Sequence, residues 1–84
     1  MTNVNELLEI AISEISYVGH GETFLVRDLF KGYEWNRISR SNRLLLGTLF
    51  LNYINTAKNE VAPIEKTSSG QQKYIKTSEL MKNY

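Results

Sequence analysis

The chain has no cysteine, so neither a disulfide framework nor a thiolate metal site is available to it. One histidine, His20, and no His/Asp cluster leave a zinc site or a catalytic triad without its ligands. There is a single proline, Pro63, and no apolar run of membrane-spanning length. The N-terminus lacks the basic-then-apolar order of a signal peptide, which predicts a cytoplasmic protein. What remains is an ordinary globular balance: 84 residues, 42% of them hydrophobic and 23% charged, suited to one domain.

Positive charge is missing from one third of the chain. Residues 1–23 carry Glu6, Glu9, Glu14 and Glu22 with no Lys or Arg. Residues 24–59 carry six basic residues against Asp28 and Glu34, and residues 60–84 carry four lysines against three glutamates. The formal net charge of +1 therefore conceals an acidic start and a basic middle.

Periodicity predicts a first helix in which Val4, Leu7, Leu8, Ala11, Ile12 and Ile15 share one apolar face. Asn3 and Glu6 have the spacing of a capping box at its start. After the "GHG" break, "TFLV" reads as a small strand and "RDLF" as a short helix with Asp28 in its first turn. Ser39 is the expected N-cap of a long helix over residues 40–57. Its projection puts Leu45, Leu46, Leu49, Phe50 and Tyr53 on a core face, with Leu44, Leu51 and Ile54 towards the other side. Gly47 in mid-helix costs about 1 kcal/mol relative to alanine and asks for a close backbone neighbour. "VAPIEK" and "KYIK" then predict strands joined by the turn-like "TSSGQQ", and residues 77–84 give a final helical turn or a frayed tail.

Helix, short strand, short helix, long helix and β-hairpin is the order of an α+β winged-helix-like domain, with residues 34–38 as an extended turn. In that arrangement the start of the third helix faces nucleic acid, and here it carries Arg37, Arg40 and Arg43 around Ser39, Ser41 and Asn42. Cations at a helix N-terminus oppose the dipole, so their presence calls for an anion. Guanidinium forks and free backbone N–H groups both suit phosphate. Lys66, Lys73 and Lys76 on the hairpin extend the track, and six such contacts imply a log–log salt slope of about −4 to −5. The competing reading is a solvated helix start tied to Glu34 or to the glutamates of the first helix, with Arg43 folded back on the protein.

Aromatic rings beside a basic groove hold single strands by stacking. Tyr33 and Tyr74 are the favoured platforms, whereas Trp35 is expected to fill the gap between the second and third helices, with a stacking role as its alternative. Phe24, Phe30, Phe50 and Tyr53 are assigned to the core. His20 between two glycines reads as a solvated loop residue, "TSSGQQ" lacks the spacing of a phosphate-binding loop, and no carboxylate pair suggests catalysis. No enzymatic activity, cofactor or metal is expected.

The "RDLF" segment, the "G-x-x-W-N-R" turn and "R-L-x-L-G-x-L-F" within residues 24–54 resemble the family catalogued as domain of unknown function 1413. The chain has Lys31 and Ser39 where that pattern would carry proline. The resemblance implies an accessory protein that binds single-stranded DNA in replication of a mobile genomic island of Gram-positive bacteria. It also implies a replicative helicase or polymerase of the same element as a protein partner. It assigns no DNA-contacting residue. Two rival readings use the same surface: a regulator that puts the long helix into a duplex major groove, and an adaptor that docks on a replication enzyme through Leu44, Leu51 and Ile54.

Overall fold

Asn3 opens the first helix as its spacing predicts. Its side chain accepts from the Glu6 N–H at 3.0 Å, and Glu6 accepts from the Asn3 N–H at 3.1 Å, which closes the capping box. The computed structural model describes residues 3–56 and 60–77. The order is α1 (Val4–Glu14), a 3₁₀ turn (Ile15–Tyr17), β1 (Thr23–Phe24), a second 3₁₀ turn (Val26–Leu29), α2 (Gly32–Asn36), α3 (Arg40–Thr56), β2 (Val61–Lys66) and β3 (Gln72–Lys76). Of the expected tail only Thr77 is described, and Ala57, the expected end of the long helix, lies outside the described residues.

Two local acids build the segment before α3. Asp28 accepts from the Leu25 N–H at 2.9 Å, and Glu34 accepts from the Lys31 N–H at 3.1 Å. The first fixes "RDLF" as a 3₁₀ turn rather than an α-helix, and the second starts α2 where the sequence predicted only a long turn. Ser39 then caps α3: its hydroxyl accepts from the Asn42 N–H at 3.3 Å, and its carbonyl accepts the Arg43 N–H at 2.9 Å.

The strands form one antiparallel sheet in the order β1-β3-β2, with Phe24 opposite Tyr74 and Pro63 opposite Tyr74 on the other side. Pro63 is tolerated because β2 is an edge strand, and the pairing becomes irregular between Pro63 and Lys66. At the hairpin tip Gly70 has φ +89, a left-handed conformation that favours glycine, and its N–H bonds the Thr67 carbonyl at 2.9 Å. The result is a winged-helix-like arrangement, with the helices followed by the hairpin.

The core lies where α1, α3 and the sheet meet: Ala11, Ile15, Phe24, Phe50, Ile54 and Tyr74 are all buried in one cluster. A second cluster, Leu7, Ile38 and Leu46, joins α1 to the start of α3. The buried stripe of α3 is therefore Leu46, Phe50 and Ile54, at i, i+4 and i+8. This corrects the predicted face, since Leu45 is 45% exposed and Leu49 and Tyr53 are only half-buried. It also removes Ile54 from any adaptor surface. Phe30 is half-buried and packs on both clusters.

Tyr74 is 1% exposed, with its ring stacked on Phe24 at 5.8 Å and meeting Phe50 edge-on at 5.0 Å. Buried in this way, Tyr74 has no exposed ring face to serve as a stacking platform for bases. Burial pushes its phenol up to about 12. Because an unfolded tyrosine titrates near 10, the stabilising effect of the neutral phenol is complete below about pH 10 and is lost as pH rises through the folded value. Alkaline denaturation followed by ultraviolet absorbance is expected to show stability falling above about pH 10, and Tyr74→Phe should flatten that decline.

Candidate functional site

A groove of about 580 Å³ opens between α3 and the hairpin. One wall is the face of α3 that bears Arg40, Leu44, Gly47, Thr48 and Leu51, and the other is Lys66, Gly70, Gln71 and Gln72 at the hairpin tip. Arg27 and Trp35 come in from the segment before α3, and Tyr74 lies beneath as part of the floor. Among the described residues four cations, Arg27, Arg40, Arg43 and Lys66, line this groove and no Asp or Glu does. The groove thus combines positive potential, an aromatic ring and aliphatic wall, the combination that unstacked bases with their phosphates require.

The three arginines do not act as one cluster. Arg40 is exposed on the groove wall. Arg43 is folded back: an Nη2 N–H donates to the Trp35 carbonyl at 3.0 Å and the guanidinium lies 5.2 Å from the Trp35 ring centroid. Its Nε is buried with no hydrogen-bond partner among the described residues. Arg37 points to a different surface, where it lies 5.1 Å from the ring of Tyr33 and lines a second groove with Glu34, Leu7 and Ile10. Tyr33 is 51% exposed but sits with Arg37 and Lys31 outside the α3–hairpin groove. Among the described residues none of Arg37, Arg40 and Arg43 forms an ion pair with a carboxylate. Ser41 is exposed, with its hydroxyl 3.4 Å from that of Ser39, and it too stands outside the groove.

The hairpin lysines divide as well. Lys66 is exposed and faces the groove. Lys73 pairs with Glu65 at 3.3 Å, and the Glu65 carboxyl is held below its usual range by a backbone hydrogen bond and by that lysine. Lys76 is 7% exposed and its Nζ donates to the Ile15 carbonyl at 2.9 Å, tying β3 to the end of α1. Lys76 is a structural cation and cannot reach phosphate. His20, exposed in its loop, contacts the Thr77 carbonyl at 3.0 Å and Glu60 at 3.7 Å.

Trp35 is half-buried: it packs on Phe30 with centroids 5.9 Å apart and on the second core cluster, yet it also borders the groove. Sequence reasoning missed this double position, and it missed Arg27 altogether. No periodicity signals Arg27, because only the fold brings it to line the same groove as the hairpin tip.

No curated protein matches this sequence. The fold matches a solved structure, the SCCmec type IV LP1413 protein, described as a nucleic acids binding protein, with a TM-score of 0.70 and 23% sequence identity. That match covers 89% of this chain and 87% of the other. The family model whose description is domain of unknown function, DUF1413, matches residues 9–76, the span from the second half of α1 through β3 that contains the whole groove, and the chain belongs to that family.

Proposed function

We propose that this protein binds single-stranded DNA in the groove between α3 and the hairpin, without catalysis and without strong sequence preference. The observation that carries this reading is the lining itself: among the described residues four cations, no carboxylate, and an aromatic and aliphatic surface. Phosphates pair with Arg40, Lys66 and Arg27, whereas Arg43 holds Trp35 in place and adds its charge from beneath. Tyr33 with Arg37 and Lys31 forms a second exposed aromatic-and-basic patch, outside this groove and not counted among its contacts.

A duplex reader needs hydrogen-bonding side chains along the exposed face of its recognition helix. Here that face mixes Leu44, 66% exposed, and Leu45, 45% exposed, with the exposed Arg40, Ser41, Thr48 and Asn52, so the single-strand reading is carried by the groove and not by this face. The neighbour's description as a nucleic acids binding protein supports a nucleic-acid ligand, and its SCCmec origin supports a place in a mobile element. An accessory role in replicating such an element, beside a helicase or polymerase, is the cellular function that fits this binding.

The test is competition. Labelled oligo-dT bound to the protein is challenged with unlabelled oligo-dT or duplex of equal length, at two salt concentrations. Single strand should displace the label at much lower concentration than duplex. Four contacts to a single strand predict a log–log salt slope of about −3, shallower than the full set of hairpin and helix cations would give. Preferential displacement by duplex would overturn the single-strand reading.

A further inference from the structure

Gly47 sits in the middle of a 17-residue helix, a position where glycine is among the least favourable residues. Such a glycine is usually explained by another backbone packed against it. That explanation fails here: a Cβ built at Gly47 meets nothing within 4 Å. The bare stretch of helix faces the groove, one turn along from Arg43, two turns along from Arg40, and between Leu44 and Leu51. The protein thus carries a destabilising residue at a position of α3 that lines the groove rather than the core.

We infer that Gly47 forms a nucleobase subsite: one unstacked base of the bound strand lies against the exposed backbone of α3, with Leu44 and Leu51 on either side. This rests on the single-strand reading and deepens it. The chemistry fits a base better than a phosphate, because Leu44 and Leu51, the leucines on either side of Gly47 along the helix, offer apolar contact. Arg40 and Lys66, on opposite walls, are then placed to hold the phosphates that flank the inserted base.

The experiment uses Gly47→Ala and Gly47→Leu with two probes, oligo-dT and an abasic strand of the same length. Both substitutions should raise the melting temperature, by about 5 °C for alanine, since they add helix propensity and meet no clash. Gly47→Leu should weaken oligo-dT binding by about tenfold or more, the worth of one base contact. Its salt slope and its affinity for the abasic strand should match wild type. A Gly47→Leu protein that binds oligo-dT as wild type does would overturn the subsite. So would equal weakening for both probes, which would place the sugar-phosphate backbone there instead. Loss of binding in Arg40→Ala and Lys66→Ala, measured alongside, separates the two claims: if those variants and Gly47→Leu all bind normally, the groove itself is the wrong site.

Discussion

The triple variant Arg27→Ala, Arg40→Ala, Lys66→Ala is expected to fold and melt like wild type and to bind single-stranded DNA about 100-fold more weakly at 0.1 M salt. The figure follows from counterion release. Each contact with a single strand contributes about 0.7 to the log–log salt slope, so at 0.1 M each is worth roughly a factor of five. Three together give about two orders of magnitude, and the slope should flatten from about −3 to about −1. Stability should hold because all three side chains are exposed and none forms an ion pair among the described residues. Removing Arg40 also takes a cation away from the N-terminal end of α3, where the dipole disfavours it. Arg43 is left in place, since its bond to the Trp35 carbonyl would confuse a binding loss with a local collapse. Lys73→Ala is the control for the Lys66 component: it too removes one positive charge from the hairpin, but from a side chain already paired with Glu65 outside the groove. If the triple variant and the control bind alike, the groove cations are not the phosphate contacts.

That prediction draws on some residues legible in the sequence and some that were not. Arg40 and Lys66 could be named from the chain alone, because a cation at a helix start and a cation in a hairpin are both local facts. Lys76 and Tyr74 misled for a physical reason. In "KYIK" the alternation offers two faces of nearly equal polarity, Tyr74 with Lys76 or Lys73 with Ile75, and nothing local says which turns inward. Packing decides it: Phe24 and Phe50 take the Tyr74 ring, so Lys76 is carried inside and must find the Ile15 carbonyl. The face of α3 was hidden for a similar reason. Leucines at 44, 45, 46, 49 and 51 make the helix apolar on nearly every side, which leaves its rotation to be fixed by α1 and the sheet. α2 was missed because five residues give too short a window for periodicity, although the Glu34 bond to Lys31 that starts it is a local signal. The groove exists only after these choices are made, so Arg27 and Trp35 become neighbours of Lys66 through tertiary structure alone.

Phe50→Ala is expected to cost the most stability of any single truncation in α3. Phe50 is fully buried, meets Tyr74 edge-on at 5.0 Å and Phe24 edge-on at 6.5 Å, and so links the helix to two strands at once. Truncating a buried phenylalanine costs about 3–5 kcal/mol, and a chain of this size has only roughly 4–12 kcal/mol in total. The melting temperature should fall by about 15 °C or more, or the protein should be unfolded at room temperature. Leu45→Ala, one of the residues the sequence placed on the core face, removes a side chain that is 45% exposed and should cost less than about 1 kcal/mol. Circular dichroism melts of the two variants compare the real buried stripe with the predicted one. Phe50→Leu keeps most of the volume while losing both ring contacts; it should fall between wild type and alanine. The ranking bears on the groove because its two walls, α3 and the hairpin, are held at a fixed separation by this aromatic contact between Phe50 and Tyr74. A Phe50→Ala protein that melts with wild type would mean that α3 does not pack on β3 as described, and the walls of the binding groove would lose the contact that sets them apart.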